Sequence, residues 1–187
     1  MHPTTVELLE HLDANRAALR EALERVPPPL RERRPAADCW SVAEVLEHLS
    51  LVEERLAQVV VSQTAAAKAA SAPSVEGDGG GWGGRSVVQS LDAAVILDRS
   101  RRVAATEASW PRSGADASAA WERLESARRR LREAVIARDG MAPGEFRFQS
   151  PALGPLDLNQ CIAFVGSHEA RHTAQILEIG ERLAGSA

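Results

Sequence analysis

Apolar residues recur at three- and four-residue steps through most of the chain, and strand-like alternation is nearly absent. In the first such segment, from about Thr5 to Val26, Leu9, Leu12, Leu19, Leu23 and Val26 fall on one stripe, the pattern of an amphipathic helix. Thr4 with Glu7 reads as a capping box, and Pro27-Pro28-Pro29 removes three successive backbone donors and stops the helix. A second helix is predicted from Ser41, paired with Glu44 in the same cap signature, to about Ala70. Its inward face is Val42, Val45, Leu46, Leu49, Leu56 and Val60, with Trp40 placed to staple onto Val45. A third helix runs from about Ala117 to Arg138, with Trp121, Leu124, Leu131 and Val135 inward. Its Arg128, Arg129, Arg130 and Arg132 are read as the solvated face. The fourth, capped by Asp157 with Gln160, carries Ile162, Val165, Ile176, Leu177 and Ile179 to about Leu183.

The intervening stretches lack this periodicity. Residues 71–85 hold Pro73 and Gly77, Gly79, Gly80, Gly81, Gly83 and Gly84, whose backbone entropy predicts an exposed loop. A short helix is expected within Val87–Arg101, and loop from Thr106 to Asp116. In the turn-rich stretch Gly140–Pro155, Phe146-Arg147-Phe148 suggests a short extended piece. Four long helices with a long crossover between the second and third predict an all-α four-helix bundle, a single domain over residues 1–187.

Composition adds exclusions. A chain of 187 residues, 44% hydrophobic and 26% charged, sits in the ordinary range for one soluble domain. A net charge of −4, with three Phe, four Trp and no Tyr, argues against nucleic acid as a partner. Cys39 and Cys161 are solitary, so no disulfide framework is expected. The start of the chain carries acids where a signal peptide needs a cationic stretch, and no window reaches the roughly 18 apolar residues of a membrane span. A cytoplasmic protein with no membrane partner is the expectation.

The histidines carry the chemistry. His168 and His172 stand four apart in the fourth helix, so their side chains share a face, with Cβ atoms roughly 5–6 Å apart. Both can then reach one ion at roughly 2.0–2.1 Å per bond. Val165, Gln175 and Ile176 lie on the same face, which turns the pair into the bundle, where neutral imidazoles need polar partners or a metal. His48 sits in the similarly apolar setting of Val45, Leu46 and Leu49. Three imidazoles from two helices would bind a divalent metal ion and leave a coordination position open, the arrangement of a reactive site. Glu44, Glu169 and Gln175 are candidates to orient the imidazole nitrogens, Glu169 also as an ion-pairing residue. His2 and His11 are read as a frayed terminus and the edge of an exposed face. No catalytic residue is assigned.

Two other motifs cover the same residues. His168-Glu169-Ala170-Arg171-His172 satisfies the zinc-protease pattern H-E-x-x-H, but Gln175 continues the helix and carries Glu178 away from the imidazole face. Glu169 with His172 forms half of a di-iron signature, and the second half is missing, since Glu44 and His48 are four apart.

Trp40-Ser41-Val42-Ala43-Glu44-Val45-Leu46-Glu47-His48-Leu49 resembles the opening of the second helix in the DinB-like superfamily of bacterial four-helix metalloproteins. Pro151-Ala152-Leu153-Gly154-Pro155-Leu156 and the segment His168–Ile176 are similar to its closing part. The resemblance implies an up-down-down-up bundle, a homodimer, and zinc or nickel on His48, His168 and His172. It also implies transfer of a small electrophilic substrate onto a low-molecular-weight thiol. Relatives often carry His-Pro where this chain has Ser150-Pro151. A metal-dependent hydrolase and a non-enzymatic, stress-associated metal-binding dimer are the alternatives.

Overall fold

The computed structural model describes residues 1–70, 82, 84–101 and 103–185, and most of these are helical. Helix α1 spans Pro3–Arg25, α2 Val42–Ala69, α3 Ala93–Leu97, α4 Ala117–Ala137 and α5 Leu158–Ala184. Strand β1 (Phe148–Ser150) pairs antiparallel with β2 (Gly154–Leu156) in a two-stranded hairpin. The short helix expected within 87–101 is a 3-10 turn at Val88–Ser90 followed by the five residues of α3. Of the Gly-rich loop expected at 71–85, residues 71–81 and 83 lie outside the described residues.

Helix starts follow local chemistry. Ser41 with Glu44, and Asp157 with Gln160, form reciprocal capping boxes on α2 and α5. The first helix departs from expectation. It begins at Pro3, where a missing N–H costs nothing, and His2 Nδ1 accepts from the Thr4 N–H at 3.2 Å. Glu7, expected in a cap with Thr4, instead accepts from the Val87 N–H at 3.2 Å and from Ser86, and so anchors the chain entering the Val88–Ser90 turn.

Helix α2 packs along α4, and α1 along α5. Two apolar clusters form the core. One gathers Leu8, Leu12, Val60, Leu131, Val135, Leu158, Ile162 and Val165; the other gathers Leu19, Leu23, Val42, Leu46, Leu49, Leu124, Ile176 and Ile179. Of the predicted inward residues, Leu56, Trp121 and Leu177 stay half-buried at the margins.

Each long helix carries one buried charge between the residues it gives to the two clusters: Arg16, Glu53, Arg128 and Glu169. The arginine run of α4 is therefore not wholly a solvated face. Arg129 and Arg130 are exposed, but Arg128 is 4% exposed, because α4 turns it inward between Leu124 and Leu131 to meet two carboxylates.

Candidate metal centre

One helical turn separates His168 from His172, and their Nε2 atoms lie 3.1 Å apart. Across the interface His48 Nε2, from α2, lies 3.4 Å from His168 Nε2. The ring centroids are 5.2, 5.0 and 4.5 Å apart for the pairs 48–168, 48–172 and 168–172. One ligand atom from each residue falls within 4.8 Å of the others, so the three can hold a metal ion. Two nitrogens bound tetrahedrally at about 2.05 Å stand about 3.3 Å apart, and the two Nε2 separations straddle that value.

The outer nitrogens decide what the inner ones offer. His48 Nδ1 lies 2.7 Å from the Ser109 carbonyl, which can only accept, so Nδ1 carries the proton and Nε2 faces inward as a lone pair. His172 Nδ1 lies 2.8 Å from Gln175 Oε1, with the same consequence. His168 Nδ1 is buried with no hydrogen-bond partner among the described residues. At least two inward nitrogens are thus bare acceptors beside one another. A cation satisfies that arrangement, and without one their desolvation is poorly compensated.

The rings are held neutral, the form that ligates. Burial lowers the His48 pKa below its usual value. Burial, with the nearby His48 charge, pushes His168 down to about 3. His172 is lowered well below the ordinary range by burial and by its two imidazole neighbours.

Aromatic rings flank the triangle. Phe164 stacks on His168 at 5.5 Å, and Trp40 lies 5.0 Å from His48 with Trp110 edge-on to it at 5.4 Å. The crossover bearing Ser109 and Trp110 is fastened on both sides of the site. Glu47 accepts from the Arg112 and Ser113 N–H groups, each at 2.9 Å, while Arg171 donates to the carbonyls of Ile96, Asp98 and Arg101. Ser109, Glu47 and Arg171 carry no motif, since two act through backbone partners and the third offers only its own carbonyl.

Not every candidate orienting residue reaches an imidazole. Gln175 does. Glu44 is turned away, accepting from the Ser41 N–H at 2.8 Å and pairing with Arg34, because its place in the capping box points it at the helix start. Glu169 is fully buried, but its oxygens meet Arg16 at 2.6 Å and Arg128 at 2.7 Å rather than a histidine. Neither oxygen is free to act as the general base of a protease, and α5 continues unbroken past Gln175. His11 is not at an exposed edge: its Nε2 lies 3.1 Å from the Ala163 carbonyl, and its ring occupies the space where a Cβ on Gly166 would sit. A sequence signal for the buried charges does exist. One charge interrupts the apolar stripe of each long helix, two positive and two negative.

A family model described as the DinB superfamily matches residues 11–176, most of the chain. Neither the curated proteins nor the solved structures compared with it give a match.

Proposed function

From the premise that the chain belongs to the DinB superfamily, we propose that it is a divalent-metal-dependent enzyme joining a low-molecular-weight thiol to a small electrophile. One observation carries this reading: three neutral imidazoles meet at a single point, two with their outer nitrogens already committed. Bound there, a divalent ion, zinc or nickel by family resemblance, would supply Lewis acidity that lowers the pKa of an adjacent thiol or water. His48 and His172 present their lone pairs because Ser109 and Gln175 hold the Nδ1 protons in place. Trp40 and Phe164 pack on the rings and exclude water from two sides. No fourth metal-binding side chain among the described residues joins the group, which leaves room in a four-coordinate sphere for a small ligand. The sharing of helix ends between the two apolar clusters supports an up-down-down-up bundle as the scaffold.

Elemental analysis of the purified protein is expected to find about one equivalent of metal in a three-nitrogen site. His168→Ala is expected to lose it while keeping its helical circular dichroism. Metal at 100 times its Kd should stabilise the wild type by about 2.7 kcal/mol and leave the variant unmoved. A His168→Ala protein that retains stoichiometric metal overturns the assignment. With metal present, consumption of an added thiol together with the electrophile identifies transfer; loss of the electrophile alone identifies hydrolysis.

A further inference from the structure

Arg16, Glu53, Arg128 and Glu169 pair with one another, and Arg16 also reaches the partly exposed Glu125 from Nη1 at 2.6 Å. Arg16 donates from Nε to Glu169 at 2.6 Å and from Nη2 to Glu53 at 2.8 Å. Arg128 donates from Nε and Nη2 to Glu53 at 2.9 and 2.8 Å, and from Nη2 to Glu169 at 2.7 Å. Their exposures are 7% for Arg16, 1% for Glu53, 4% for Arg128 and 0% for Glu169. Both acids sit on the helices that carry the imidazoles, and both bases sit on the helices that do not.

That division has a geometric effect. Glu53 follows His48 by five residues on α2, and Glu169 directly follows His168 on α5. At about 100° per residue, Glu53 stands roughly 140° from His48 around α2, and Glu169 roughly 100° from His168 and roughly 60° from His172 around α5. Turning or sliding either helix far enough to part the imidazoles would therefore tear a carboxylate from its guanidinium. Leucine stripes do not impose this, because one apolar contact substitutes for another after a slip. A dry, hydrogen-bonded charge pair has no such substitute.

We propose that Arg16, Glu53, Arg128 and Glu169 are positioning residues for the imidazole triangle, fixing the rotation and register of α2 against α5. The proposal rests on the metal-binding reading for its purpose, though convergence of the rings can be measured without metal.

The decisive variant replaces the whole set with apolar residues of similar size: Arg16→Met, Glu53→Leu, Arg128→Met and Glu169→Leu. Buried ion sets exchanged in this way often keep or gain stability. The expected product melts cooperatively and stays helical, but binds Co2+ about 10- to 100-fold more weakly, as when supports of metal ligands are lost. Its Co2+ visible spectrum should shift. In the metal-free variant, nitrogen NMR of the imidazoles should show averaged tautomers for His48 and His172 in place of fixed Nδ1–H forms. A folded variant with wild-type Co2+ affinity, spectrum and tautomers overturns the proposal. Should the quadruple variant not fold, Glu169→Gln is read by the same measurements, and unchanged values overturn it equally. If wild-type protein binds no Co2+, the metal reading falls by itself. The metal-free tautomers then decide the positioning claim: averaged in the variant they support it, unchanged they overturn it.

Discussion

Two of the polar clusters buried in the apolar core are finished to different degrees. In the Arg16–Glu53–Arg128–Glu169 set, charges balance and both carboxylates are engaged by both guanidiniums. Burial opposes the charge on Arg128, yet Glu53 and Glu169 hold its pKa above the ordinary value. In the imidazole triangle, the Nε2 atoms of His48 and His172 both face inward as acceptors, and the Nδ1 of His168 has no partner among the described residues. The first is complete as folded. The second lacks partners that a cation could supply, which sets it apart from a cluster that serves stability alone.

That contrast can be broken most forcefully at the complete end. Arg128→Met should leave Glu53 and Glu169 to share Arg16 and cost about 3–5 kcal/mol in a urea titration, the scale of an uncompensated buried charge. A loss under 1 kcal/mol would mean the set is not formed in solution. At the incomplete end, Gln175→Leu removes the acceptor behind His172 and should weaken metal binding about 10- to 100-fold with little change in the metal-free midpoint. Equal affinity would show that the Gln175 contact does not hold the ring.

Acid sharpens the comparison further. The pKa of His168 falls from 6.5 to about 3 on folding, so the unfolded chain binds the proton that the folded chain refuses. The resulting stability is whole above pH 6.5 and is lost as pH drops towards 3, at about 1.4 kcal/mol per pH unit for this one group. Urea midpoints of metal-free protein at pH 7, 6 and 5 should fall at least that steeply below pH 6.5, since His48 and His172 are lowered too, and His168→Ala should make the slope shallower. Arg128, held above its ordinary value, does not titrate in this range. An identical slope in His168→Ala would assign the acid sensitivity elsewhere.

The long helices could be read from the sequence because each supplies many apolar residues at one period, so Leu46, Leu49, Leu124 and Ile162 fall into the core as expected. Likewise, the four-residue step between His168 and His172 forces them onto a common face of any helix. The shorter features gave less warning. Strand β2 is three residues containing a proline, too brief for alternation to register. Arg128 sat within a run of arginines, and a run masks the one member that the helix turns inward. Arg16 stands as a charge on the stripe between Leu12 and Leu19, but nothing local names its role, which depends on three partners distant in sequence.

The group behind His48 is a peptide oxygen, placed by the 3-10 turn that ends at Ser109. Every amino acid supplies that oxygen, so substitutions at position 109 that keep the local path leave the contact intact. Lengthening or shortening the crossover would move it. Natural variants of this protein would then retune the His48 ring through insertions and deletions rather than point changes, and an aligned column at this position would look indifferent while the atom it stands for is not.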